Sequence, residues 1–322
     1  MNDIKSSIDN GGRKRIDIEI KAVTTESNWA GTDFLTELDR DIDQLSRKRK
    51  GILDIVNVGT VSTRFITYVS HTKGTKPDWV GDGEVSEGVL KSEGAEDWRE
   101  TTEEVKKIAG WVKVSKEMLD DLGFIRSEIN NDLLLGMREQ IEEALLNGTG
   151  GAQINGLLSG GMGLPAFVPG PFAGAIAGAN ISDVIRVAIA QVETENYTPT
   201  HIVMHPQDVA SMQLTKGTDN TYTYPMYLPG SEDATMRVAG ITVVSSTYIA
   251  QDTFLLGDFS KVNVRMRNNI ELEVGLDSDD FTKNLITMLV EARLVQYVKA
   301  NDKKAFVQGS IGDAITGLTP TP

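Results

Sequence analysis

Apolar residues recur at every fourth position through Ile125, Ile129, Leu133, Met137, Ile141 and Leu145, with Leu134 widening the stripe. That spacing is close to the period of an amphipathic helix. It predicts one over 126–146, roughly 30 Å long at ~1.5 Å per residue. The run Asn147-Gly148-Thr149-Gly150-Gly151 then stops it, because glycine there favours a C-terminal cap over another turn. Upstream, Phe34, Leu35, Leu38, Ile42 and Leu45 give a second helical face, so 33–46 reads as a short amphipathic helix closed by Gly51. Residues 52–70 are rich in Ile, Val and Thr and read as strand through Arg64-Phe65-Ile66-Thr67-Tyr68-Val69. From Val105 to Val114 the chain is strand-like again. Between them, 78–104 carries ten carboxylates against Lys91 and Arg99. Such a segment cannot bury a core of its own. A strand out and a strand back around this polar stretch predict a long two-stranded finger. An isolated hairpin is marginal in water, so neighbours must order it. A long rigid spine beside a long uncommitted arm suggests a building block whose arm meets another subunit.

The remainder alternates more regularly. Residues 159–180 hold six glycines and three prolines and read as a loop. Ser182 is expected to cap a helix whose buried face is Val184, Ile185, Ala188, Ile189 and Val192. A strand follows at His201-Ile202-Val203-Met204-His205, and Pro206 opens a short helix to about Leu214. Residues 216–230 read as a loop, and 241–246 and 253–256 as strands. Together 181–260 form a compact α/β lobe. Val262, Val264 and Met266 alternate, then Ile270, Leu272 and Val274. Residues 284–297 read as one strand of roughly 45 Å at ~3.3 Å per residue, and Ala305-Phe306-Val307 as a last one. Residues 1–31 are weakly patterned and read as an extended arm.

Composition narrows the class. The chain has 322 residues, 40% of them hydrophobic, enough for one large domain or two to three lobes. It has no apolar run of the length a membrane helix needs, and the N-terminal residues lead into no apolar segment of signal-peptide type. Cysteine is absent, which excludes disulfides and thiolate metal sites and is compatible with a reducing compartment. A formal net charge of −14 repels duplex DNA on average, so DNA binding is disfavoured as the primary activity. The run Arg47-Lys48-Arg49-Lys50 departs from that average. It reads as a solvated helix end that complements the helix dipole, with a nucleic-acid or partner contact as the alternative.

The search for catalytic chemistry is mostly empty. Of the three histidines, His71, His201 and His205, the last two have the i, i+4 spacing of a helical zinc pair. Ile202-Val203-Met204 between them favours a strand, which holds them about 13 Å apart. No metal is predicted. Gly81-Asp82-Gly83 lacks the third glycine of a dinucleotide fingerprint. Asp39, Asp41 and Asp43 mimic a calcium loop, but Gln44 and Lys50 stand where its glycine and final glutamate belong. No cofactor is predicted, and a soluble enzyme is disfavoured.

Four passages, in order, resemble the major capsid proteins of tailed phages with the Hong Kong ninety-seven fold. Lys107-Ile108-Ala109-Gly110-Trp111-Val112-Lys113-Val114-Ser115, leading to Met118-Leu119-Asp120-Asp121, resembles the return strand of that family's E-loop. Ile129-Asn130-Asn131 through Leu145-Leu146-Asn147-Gly148, then Asn155-Gly156-Leu157, resembles its spine helix and following loop. Val203-Met204-His205-Pro206-Gln207-Asp208 resembles the start of its axial-domain helix. Phe281-Thr282-Lys283-Asn284, then Glu291-Ala292-Arg293, resembles its long peripheral strand.

The resemblance implies an α+β capsid fold. It places an N-terminal arm at 1–50, a peripheral-domain strand segment at 51–69 and an E-loop at 70–106. It then places a peripheral domain with the spine helix at 107–180, an axial α/β domain at 181–260, and long peripheral strands with the C-terminus at 261–322. It implies pentamers and hexamers that close an icosahedral shell around double-stranded DNA, which the wall touches only weakly and non-specifically. Portal, scaffolding and decoration proteins are the implied partners, with assembly in the host cytoplasm and no membrane. An encapsulin-like compartment shell is the alternative. The resemblance also implies a cross-link between subunits: Lys91 joined to Asn284, assisted by Glu291. Without it, the three are a surface lysine, a strand-end hydrogen bonder and half of an ion pair.

Overall fold

A computed structural model describes residues 51–74, 96–117, 123–216, 222 and 236–320. The predicted helix at 33–46, the basic run at 47–50, the Gly81-Asp82-Gly83 and Asp39-Asp41-Asp43 patterns, Lys91, Met118-Leu119-Asp120-Asp121 and most of the 216–230 loop lie outside these residues. Eleven strands are described: β1 (Asn57–Thr60), β2 (Phe65–Lys73), β3 (Asp97–Glu104), β4 (Lys106–Ser115), β5 (His201–Met204), β6 (Arg237–Val238), β7 (Ile241–Ser245), β8 (Thr253–Gly257), β9 (Val262–Gly275), β10 (Leu285–Val298) and β11 (Phe306–Ser310). The described helices are α1 (Gly123–Asn147), α2 (Ile181–Thr194), α3 (Pro206–Gln213), α4 (Asp280–Lys283) and α5 (Ile311–Leu318).

The chain divides into two compact units. The first holds Ala109–Met137 and Ile270–Glu291. Its small core is Val114 and Met288, with Val112, Ile129, Leu133 and Ile286 packed against them. The second holds Lys48–Ile108, Arg138–Asn269 and Ala292–Pro322. There the strands β11-β8-β5-β7-β6 form a mixed sheet, with β5 and β7 parallel and β5 and β8 antiparallel. Val184, Ile185 and Val192 of α2 and Ile311, Ala314 and Leu318 of α5 share one buried cluster with Ile202, Phe254 and Leu256 of that sheet. This is the α/β lobe the alternation predicted. A second sheet has the order β1-β9-β10-β4, and β2 and β3 form a separate two-stranded ribbon.

The periodic helix is present, 25 residues long. Met137, Ile141, Leu145 and Leu146 are buried, but Leu134 is exposed, so the stripe is narrower than predicted. Asn180, not Ser182, caps α2: its Oδ1 accepts from the backbone N–H of Ser182 and Asp183, and the Asp183 carboxylate accepts from the Asn180 N–H. Ser182 is itself one of the residues being capped. The return strand of the finger starts earlier than predicted, at Asp97, so part of the carboxylate-rich stretch is paired backbone. A two-stranded ribbon leaves side chains solvated, and acidic residues fit it without an apolar face. Val262–Gly275 is one continuous strand. The helices α4 and α5 were not anticipated; α5 carries Gly312 and Gly317, which weaken its helical signal.

Candidate assembly and cross-linking site

In the ribbon, Phe65 pairs with Glu104, Thr67 with Thr102, Val69 with Glu100 and His71 with Trp98. Side chains alternate across a strand. Phe65, Val69 and Trp98 are therefore exposed on one face, while Ser70 on the other is buried and Tyr68 stacks on Tyr297 at 5.0 Å. Toward the far end His71 pairs with Glu96 and stacks on Trp98 at 4.4 Å. At the base, Glu104 accepts from Lys106 Nζ at 2.7 Å and from Arg64 at 2.8 Å. These two cations, Lys106 first, hold the Glu104 carboxyl below its usual range. Such exposed pairs add ~1 kcal/mol or less, so their effect is to fix the ribbon's base rather than to stabilise the fold.

A second site is the turn between β9 and β10. Asp280 is fully buried. Its Oδ1 accepts from Lys113 Nζ at 2.8 Å, and its Oδ2 accepts from Thr287 Oγ1 at 2.6 Å and from the Asp277 backbone N–H at 2.8 Å. With every lone pair directed at a donor, the carboxyl is held down to about 2, chiefly by Lys113 and then by Thr287. The clasp presents Leu276 and Phe281, 60% and 78% exposed. Asn284 ends α4 in the left-handed region, φ 54°, ψ 40°. Its carbonyl accepts from the Lys116 N–H at 2.8 Å, and its side chain is exposed. The sequence placed Asn284 inside the strand; the structure places it just before.

The structure does not unite the predicted cross-linking residues within one chain. Lys91 lies outside the described residues. Asn284 and Glu291 are seven positions apart along an extended segment, roughly 20 Å at ~3.3 Å per residue. Glu291 is half-buried within β10. Sequence reasoning missed a third feature. Glu142 on α1 is buried, with Arg138 Nε 3.8 Å from its carboxylate. It lies so close to Gly51 that a Cβ there would stand 1.5 Å from the carboxyl carbon. Burial pushes this carboxyl up, against the pull of Arg138. The available signal was the i, i+4 spacing of Arg138 and Glu142.

The histidines hold no metal cluster. His201 lies in β5, with Thr200 Oγ1 at 2.9 Å from its Nδ1 and Phe259 edge-on at 6.0 Å. Burial lowers its pKa. His205 caps α3, its Nδ1 accepting from the Gln207 N–H at 3.2 Å. Among the described residues no group of three or more His, Cys, Asp or Glu could hold a metal ion, and no helix is long and apolar enough to cross a membrane.

Comparison with known proteins gives consistent matches. The model of the phage capsid family matches residues 34–309. The major capsid protein of Enterobacteria phage HK97 is 31% identical over 252 residues, 77% of this chain. The chain spans 62% of that protein's length. Among solved structures, the capsid of an empty GTA particle computed with C5 symmetry superposes with a TM-score of 0.64 at 18% identity, covering 85% of this chain and 93% of that one. A native GTA capsid, also computed with C5 symmetry, gives 0.63 at 17%, covering 89% and 97%. A chain from Mycobacterium phage Adephagia gives 0.63 at 13%, covering 86% and 92%. Identities this low establish likeness of fold alone.

Proposed function

The chain belongs to the phage capsid family with the Hong Kong ninety-seven fold, and on that premise we propose that it is a major capsid protein. In this reading it is a structural subunit whose copies close an icosahedral head around double-stranded DNA. The observation that carries the reading is the family match over 34–309. The named relatives are phage or GTA capsid proteins, which favours a phage head over an enzyme-enclosing compartment.

Within this reading, 1–50 is an N-terminal arm, 70–106 an E-loop lying across a neighbouring subunit, and 181–260 an axial domain around which pentamers and hexamers form. The peripheral domain comprises 51–69, 107–180 and 261–322. Portal, scaffolding and decoration proteins complete the head, which assembles in the host cytoplasm. The net charge of −14 supports a wall that contacts packaged DNA only weakly. Purified particles should contain nuclease-protected duplex DNA; an enzyme cargo without DNA would contradict the assignment.

A covalent lock between subunits is the finer part of this proposal. The neutral amine of Lys91 attacks the side-chain carbonyl carbon of Asn284 on a second subunit. A C–N bond forms, ammonia leaves, and Glu291 of a third subunit takes up the amine proton. The exposure of Asn284 on its left-handed turn supports its access to a neighbour. Mature particles boiled in detergent should run as multiples of the 35.1 kDa chain, and Lys91→Arg particles as a single band. A single band from the unsubstituted chain would eliminate the cross-link.

A further inference from the structure

A polar cleft of about 280 Å³ opens where the end of β3, the loop after α1 and the last third of β10 meet, all within the second unit. Glu103, Glu104, Lys106, Gln153, Asn155 and Gln296 line it. Two of these side chains present acceptors without donors. Gln296 is only 2% exposed; its Nε2 donates to the Leu145 carbonyl at 3.0 Å, and its Oε1 has no hydrogen-bond partner. The Leu145 bond fixes the amide's orientation, so the orphan atom is the oxygen. Buried acceptors are nearly always satisfied, and one that is not calls for an explanation. Glu103 makes no hydrogen bond or ion pair among the described residues, and burial raises its carboxyl pKa while Lys303 and Lys106 act on it only at longer range. Glu104, by contrast, is already engaged by Arg64 and Lys106.

We propose that this cleft binds a cationic hydrogen-bond donor, a guanidinium or primary ammonium group, between the Glu103 carboxylate and the Gln296 amide oxygen. The donor set decides the class. An anion would meet two carboxylates against a single lining cation. A hard divalent ion wants six or more oxygens, and no three-carboxylate group is available among the described residues. A planar guanidinium supplies several N–H donors at once and tolerates partial desolvation better than most ions.

Such a cation could be an Arg or Lys side chain of a second copy, or a small free amine. The test uses the full chain before assembly, with methylguanidinium chloride as probe. Tetramethylammonium chloride, charged but without N–H groups, is the control. The side-chain amide resonances of Gln296 should shift saturably with the probe and not with the control, and the dissociation constant should rise at least tenfold in Glu103→Gln. Repeating the titration on assembled particles separates the sources. Retained binding identifies a free cation as the occupant, and lost binding identifies a neighbour's side chain already seated; either result supports the site. No saturable shift in the unassembled chain, or an equal shift with the control, overturns the proposal. That arm needs no shell, so its outcome is independent of the capsid assignment.

Discussion

Gly156→Ala should unfasten the loop that follows α1. A Cβ at Gly156 would stand 2.4 Å from both the Gly148 nitrogen and the Leu146 carbonyl oxygen. Both are backbone atoms, so no side-chain rotation relieves the clash. The loop must move away, and three hydrogen bonds go with it: Gly156 N–H to the Gly148 carbonyl at 2.8 Å, Leu157 N–H to Leu145 at 2.9 Å and Leu158 N–H to Leu146 at 2.8 Å. At ~1 kcal/mol each the loss is about 3 kcal/mol, a factor of ~100 in the local opening equilibrium. Hydrogen exchange reads this directly, because local opening is measured without requiring the whole chain to unfold in one step. Leu157 and Leu158 amides should lose protection by that factor in Gly156→Ala. Gly160→Ala, where a Cβ meets nothing within 4 Å, is the control and should leave protection unchanged. Wild-type protection in Gly156→Ala would refute the reasoning.

Three further outcomes follow from burial and charge. Ile141→Ala, at a fully buried position on α1, should cost about 2–5 kcal/mol in denaturant unfolding of the unassembled chain, whereas Leu134→Ala on the exposed flank should cost less than about 1 kcal/mol. Asp280 has a folded pKa of about 2 against an ordinary 3.8. The unfolded chain therefore binds more protons between those values, so the stability Asp280 contributes is present above about pH 4 and is lost as pH falls toward 2. The urea midpoint of Asp280→Asn should lack that part of the acid dependence; an acid limb identical to wild type would contradict the clasp. Glu142 is shifted upward by burial, so its charged form is disfavoured in the fold and its contribution declines as pH rises through its folded value. Glu142→Gln should be more stable than the unsubstituted chain at pH 8, with the advantage gone at pH 4. An unchanged difference across that range would contradict the burial argument.

The legible parts of the fold were those written as local periodicity. The α1 stripe, the α2 face from Val184 to Val192 and the strands at 201–204 and 241–245 each follow from side chains a few positions apart. Caps were less legible where two candidates compete. Asn180 and Ser182 are both capping types, and only the Asn180–Asp183 spacing distinguishes them. Tertiary partners left no local trace. Lys113 and Asp280 are 167 positions apart, and the orphan oxygen of Gln296 exists only because its amide nitrogen turns toward Leu145. Of the proposed cross-linking residues, the sequence supplied the types, while the left-handed turn at Asn284 came from the structure.

The central claim is that this chain is a shell-forming subunit, and electron microscopy of the purified full chain tests it most directly. Under assembly conditions, negative-stain images should show closed icosahedral shells, or pentameric and hexameric rings. A chain that stays monomeric, with no shells, tubes or rings across salt, pH and crowding conditions, would contradict the account.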